Sequence, residues 1–146
     1  MYFVGRKLFL LPILAATLTA CGGNNGEPRP GEVPSFDAID DVEAITALGT
    51  EPFWNVQIEG VTLTYSTPEN PNGAQTTIKR FAGNGGLGIS GELNSLPLQL
   101  AITPGECSDG MSDRIYPYTA TLAFDGENLL GCAYTDIQGF EGEENP

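Results

Sequence analysis

Nineteen glycines and eleven prolines are spread through the 146 residues, and no other feature of the chain restricts its fold as much. In a helix interior glycine costs about 1 kcal/mol and proline about 3 kcal/mol relative to alanine, so a helical bundle is excluded. What lies between these punctuation points has a period of two. Val61, Leu63 and Tyr65 share one face, with Thr62, Thr64 and Ser66 opposite, the mark of a half-buried strand. Phe53 to Ile58 alternates in the same way and connects through Glu59-Gly60, which predicts a hairpin. A second hairpin is predicted from Tyr118–Phe124 and Asn128–Tyr134, because the intervening Asp125-Gly126 suits a tight turn. Pro68 to Gly73 reads as a loop, and Gln75 to Ala82 with the alternating Leu98, Leu100 and Ile102 supply further strands. Gly83 to Gly91 holds five glycines and reads as a loop or a bulged strand. Strands at such spacing make a sandwich or a barrel, and closure protects the sheet edges. The expected fold is all-β: one small antiparallel β-barrel-like domain.

The N-terminus carries an address. Arg6 and Lys7 precede an apolar run, Leu8 to Leu18, interrupted only by Pro12 and Thr17. The run is shorter than the roughly 20 residues of a membrane span and suits a signal peptide. It ends in Leu18-Thr19-Ala20-Cys21, which resembles the lipobox of bacterial lipoproteins. That resemblance implies cleavage before Cys21, diacylglycerol on its thiol and a fatty acyl group such as palmitate on its amine. Several acyl chains make a firm anchor where one is marginal. Gly22 stands where an Asp would favour the inner membrane, so the same resemblance implies the outer membrane, facing the periplasm. The chain then divides into a signal peptide (1–20), the lipidated Cys21 with a disordered tether (21–43), a barrel domain (44–136) and an acidic tail (137–146). Within the tether, Phe36 and Ile39 either dock on the domain or form one helical turn with Val42.

Without the signal peptide, Arg29, Lys79, Arg80 and Arg114 face all 19 acids. Phosphate neutralisation needs clustered Lys and Arg, so nucleic acid is excluded as a partner, and so is a polybasic membrane patch. The expected partners are the membrane, through the lipid, and a cationic protein or a small ligand. With Cys21 lipidated, Cys107 and Cys132 remain. In an oxidising compartment one structural disulfide is expected, worth roughly 3–4 kcal/mol and placed across the barrel rim. A metal or redox pair is the alternative, but the spacing is not C-x-x-C and the chain has no His.

The most unusual stretch runs from Cys107 to Tyr118. Ser108, Asp109, Ser112, Asp113, Arg114 and Tyr116 form a candidate binding loop, with Arg114 reading a carboxylate. The competing account is internal: Ser108 and Asp109 close Ser- and Asx-type turns, and Arg114 pairs with Asp113 or a carbonyl. As a calcium loop the stretch fails, with Met111 and Ala120 at ligand positions. Gly83 to Gly88 fits G-x-G-x-x-G in letters, but Glu92 to Pro97 cannot supply the helix that phosphate binding needs. Trp54, the only Trp, is a candidate aromatic contact or a core plug. No His is present to activate a nucleophile, so the expectation is a non-enzymatic protein without cofactor or metal.

Two segments carry a resemblance. Gly49-Thr50-Glu51-Pro52-Phe53-Trp54, with Cys107-Ser-Asp-Gly-Met-Ser-Asp-Arg-x-Tyr-Pro-Tyr118 and a closing strand that ends Gly131-Cys132, is similar to a family of bacterial envelope lipoproteins. The likeness covers residues 47–134 and implies a secreted single-domain protein. Ser112 and Tyr116 give a more distant likeness to the membrane-bound inhibitors of c-type lysozyme, and META-type domains are similar in size and β content. The expected role is a binding or envelope-maintenance module, with inhibition of a cationic cell-wall hydrolase, wedged by Ser112 to Tyr116, as the alternative.

Overall fold

Eight strands make up the fold in the computed structural model, which describes residues 35–143. They are β1 (Ile45–Thr50), β2 (Phe53–Glu59), β3 (Thr62–Thr67), β4 (Asn70–Ala82), β5 (Leu87–Leu93), β6 (Leu96–Ser108), β7 (Ile115–Phe124) and β8 (Glu127–Thr135). Each pairs antiparallel with the next, and β8 returns to β1 with Ile45 opposite Thr135 and Leu48 opposite Cys132. The sheet is a closed barrel, so all eight strands have a partner on both sides. The expected signal peptide and lipidated Cys21 lie outside the described residues.

Alternation decides which face turns inward. Val56 and Ile58 of β2, Leu98, Leu100 and Ile102 of β6, and Ala120 and Leu122 of β7 are buried, while the residues between them face out. Each fully buried Val, Leu or Ile stabilises the fold by about 1.5–3 kcal/mol, and these side chains fill the interior continuously. Two tight turns set registers. Asp125-Gly126 takes positive φ at both residues (52° and 78°), as a type I′ turn requires, and so does Asn94-Ser95 (52° and 66°). The expected loop at 68–73 is mostly strand: β4 already begins at Asn70, which pairs with Thr67 beside a shift of register. Only Gly83–Gly86 of the glycine-rich stretch is a loop, and Leu87 onward pairs on both sides.

The packed unit overruns the expected limits of 44 and 136. Ile39 is buried in the core, and Phe36 packs against it. The Phe36 N–H donates to Gly83 O at 2.8 Å. Arg80 donates to the carbonyls of Asp40 (3.4 Å), Asp41 and Glu43 (3.0 Å), and Gln138 Nε2 donates to Ala38 O at 2.6 Å. Of the two fates open to this segment it docks, and Val42, 81% exposed, belongs to no helical turn. At the other terminus Ile115 and Glu141 exchange backbone hydrogen bonds of 2.8 and 2.9 Å.

β6 and β7 outrun the barrel. Their register shifts between Pro104 and Cys107, and beyond this bulge the hairpin lies over the outer wall as an arm. Cys132 shows how far it folds back. Lying between Gly131 and Ala133, opposite Thr119, it faces outward, yet it is buried. Its cover is Cys107, bonded to it with Cα atoms 5.5 Å apart. The disulfide therefore ties β6 to β8 past β7, on the outer wall and not across the rim, because the bulge redirects the strand.

Candidate functional site

The tip of the arm is organised around one carboxylate. Asp109 Oδ1 accepts from the backbone N–H groups of Met111 (2.9 Å) and Ser112 (2.8 Å). Oδ2 accepts from the Ser112 hydroxyl (2.8 Å) and the Tyr116 hydroxyl (3.2 Å). Burial on its own raises this carboxyl, but the four donors outweigh it and hold Asp109 at about 2. It is an anion throughout the neutral range, spent on shaping the loop. Ser112 Oγ also accepts from the Arg114 N–H at 3.2 Å, and Ser108 Oγ accepts from the Gly110 N–H at 3.2 Å. Thr50 Oγ1 donates to Asp109 O at 3.1 Å, which fastens the tip to the end of β1.

Behind the tip sits a small aromatic cluster apart from the barrel core. Tyr116, 1% exposed, has its ring 5.9 Å from Tyr134 and 5.4 Å from Phe140, and the last two meet edge to face at 5.2 Å. The Arg114 guanidinium lies 4.1 Å from the Phe140 ring centre, within cation–π range. Burial raises the Tyr116 hydroxyl above its ordinary value, Arg114 pulls it down, and the Asp109 charge pushes it up again. The internal account of the loop is thus met at Ser108 and Asp109, Ser112 joins the same network, and Arg114 stacks on a residue from the C-terminal segment. Asp113 is exposed and stands outside this network.

Between the arm and the barrel wall opens a cleft of about 670 Å³, lined by the ends of β1, β2 and β3, the start of β4 and the arm. Such a volume suits a small ligand or a peptide side chain. Trp54 forms its floor at 3% exposure. Its ring occupies the space a side chain would need at two glycines: a Cβ at Gly49 would stand 2.1 Å from the indole nitrogen, and one at Gly131 would stand 2.8 Å from the ring and 2.0 Å from Leu48 O. Among the described residues that buried nitrogen has no hydrogen-bond acceptor. Phe53 on β2 and Met111 on the arm line the cleft at 53% and 64% exposed, large apolar side chains held in water. Asp109, Ser112, Arg114 and Tyr116 line it too. A second groove of about 450 Å³ runs beside the arm, with Cys107, Cys132, Leu130 and Thr121 among its walls.

Four of the six candidate loop residues and the candidate Trp54 therefore meet at one cleft, and Ser108 lies at the neighbouring groove. Phe53, expected beside Trp54 as an aromatic contact, does line the cleft; sequence reasoning missed Met111 as an apolar lip, Thr50 as the fastening and Phe140 as the seat of Arg114. Phe140 carries the one usable signal, a single aromatic ring in an otherwise acidic terminus. No protein family matches the chain, and no curated protein and no solved structure matches it.

Proposed function

We propose that this protein is a non-enzymatic binding module of the bacterial cell envelope, anchored by lipid at Cys21, and that the cleft beside the arm is its binding site. The observation that carries this reading is the arm itself. A loop with four donors on one carboxylate is ordered before any ligand arrives, so little conformational entropy is lost on binding. Its lips expose apolar surface to water, which is the usual mark of an interaction site. A carboxyl held at about 2 suits a hub and not a proton donor, whose value should lie near the working pH.

The test is a titration of the full chain with small aromatic and peptide-like fragments, read by the emission of Trp54. Saturable shifts that weaken in Phe53→Ser and in Met111→Ser are expected. Fragments that leave Trp54 unmoved, or that bind both variants as they bind the wild type, would remove the cleft as the site. Inhibition of a cationic cell-wall hydrolase is the second reading, favoured by the exposure of the arm's tip. Tyr116 is buried and Ser112 turned toward Asp109, so the wedge in that reading is Gly110-Met111. Suppression of lysozyme-driven lysis that survives physiological salt and falls in Met111→Ser would support it.

A further inference from the structure

The charge around the cleft narrows the class of partner. Three exposed carboxylates flank lining residues in the chain, on three different segments. Glu51 lies in the β1–β2 turn between the lining residues Thr50 and Phe53, and Glu69 in the β3–β4 turn between Pro68 and Pro71. Asp113 lies on the arm between Ser112 and Arg114. Arg114 is the one cation among the lining residues, and its charge is seated on Phe140. Of the other two described cations, Arg80 is engaged with the carbonyls of residues 40–43, and Lys79 pairs with Ser90 of β5, away from the cleft. The lips of the cleft are therefore apolar, and the segments that carry them are anionic.

A point cation does not fit this arrangement. Among the described residues no three His, Cys, Asp or Glu side chains come together as a metal site, and the three carboxylates belong to three separate segments. A partner that satisfies them must be extended, with cationic groups several ångströms either side of an apolar one. Resting on the reading of the cleft as the binding site, we infer that its partner is a polypeptide segment carrying an apolar side chain flanked by Lys or Arg. The apolar side chain enters between Phe53 and Met111, and the flanking cations meet Glu51, Glu69 and Asp113. Exposed ion pairs of this kind steer association and are screened by salt.

Three peptides of equal length, uncharged at their ends, separate the possibilities when titrated into the full chain with Trp54 emission as readout: Gly-Lys-Phe-Lys-Gly, Gly-Glu-Phe-Glu-Gly and Gly-Lys-Ala-Lys-Gly. The expected result is binding of the first alone, weakened by salt. Glu51→Gln, Glu69→Gln and Asp113→Asn together should weaken it roughly four-fold, about two-fold for each of the peptide's two lysines. The three sites are exposed turn and loop positions, and an unchanged melting curve shows that the variant is folded. Equal binding of the Lys and Glu peptides, or a triple variant that binds as well as the wild type, would overturn the cationic partner while leaving the cleft in place. Equal binding of the Phe and Ala peptides would reduce the effect to acid attracting base and overturn the inference. Silence of all three peptides, with fragments still binding in the Phe53-dependent way, would overturn the inference alone; silence of both would take the cleft with it.

Discussion

Replacing Asp109 by Asn isolates what the carboxylate does for the arm. The Asn side-chain oxygen can keep the bonds from the Met111 and Ser112 N–H groups, but its amide nitrogen cannot accept from the Ser112 and Tyr116 hydroxyls. Hydrogen bonds to a charged group contribute about 1.5–3 kcal/mol each where they are shielded, and less in water. Asp109 is part-exposed, so the loss at neutral pH is expected to be about 2 kcal/mol. The pH dependence supplies an independent check. The folded carboxyl titrates at about 2 against an ordinary 3.8. The unfolded chain therefore takes up its proton first as pH falls. The stability this residue contributes is fully present above about pH 4–5 and is lost progressively as pH falls toward 2. Discounted for solvent screening, that loss is roughly 1–2 kcal/mol.

Urea unfolding of wild type and Asp109→Asn, followed by Trp54 emission at pH 7, 4 and 2.5, measures both effects. Other carboxylates titrate over the same range, so the informative quantity is the difference between the two proteins. That difference should be about 2 kcal/mol at pH 7 and shrink by half or more at pH 2.5. A difference below about 0.5 kcal/mol at pH 7, no more than an ordinary surface substitution produces, would show that the four donors do not hold the arm. So would a difference that stays constant with pH. In either case the pre-ordered cleft would lose its basis.

Three further perturbations probe the same architecture. Gly131→Ala places a methyl group against Leu48 O and the Trp54 ring, so a loss of about 3 kcal/mol or more and a red-shifted Trp54 emission are expected. A stability within about 1 kcal/mol of wild type, below the usual cost of overpacking, would show that the Trp54 seat is loose. Replacing both Cys107 and Cys132 by Ser should cost about 3 kcal/mol, and amide exchange should accelerate in residues 107–116 more than in β2 or β3. Uniform acceleration would mean that the disulfide staples the barrel and not the arm. Phe140→Ala removes the ring that touches Tyr116, Tyr134 and Arg114. A loss of about 1–3 kcal/mol is expected, its size set by how far the half-buried site collapses, with the circular dichroism of the barrel unchanged; a change below about 0.3 kcal/mol would dissociate the C-terminal segment from the arm.

The barrel was legible because its information is local. Alternation at Thr62 to Ser66, and Asp125-Gly126 between two alternating runs, each specify structure within a few residues, and closure follows from the need to cover edges; Val61, expected on the buried face with Leu63 and Tyr65, instead sits in the Gly60-Val61 turn at 65% exposed. Asn94-Ser95 escaped notice because neither residue is glycine, although Asn accepts positive φ better than most. The self-bonding of Ser108 and Asp109 was legible for the same reason: Asx- and Ser-type turns join groups two or three residues apart. What the sequence could not convey is where the arm goes. Its direction depends on a bulge at Pro104 to Cys107 and on contacts with Thr50 and Phe140, which are remote in the chain. Tyr116 looked like a surface ring in a hydroxyl-rich loop and is among the most buried residues. Phe140 and Tyr134, brought in from the C-terminal end, pack against its ring.

The division of labour between the two ends of the barrel bears on what the cleft can meet. The chain comes in at the end where β1 begins and β8 finishes. There Ile39 enters the core, Arg80 holds the carbonyls of residues 40–43, and Gln138 bridges Tyr118 and Ala38. The cleft lies at the other end of β1, where Thr50 takes hold of the arm. The whole length of a six-residue strand separates the two, a span of roughly 20 Å for extended chain. A lipid at Cys21 would therefore reach the barrel at the end that carries the cross-braces, opposite the cleft. An apolar lip facing the bilayer would risk burial in lipid. Turned away, with the acidic segments of Glu51, Glu69 and Asp113, it would stay wet and open to the proposed cationic partner from the aqueous side.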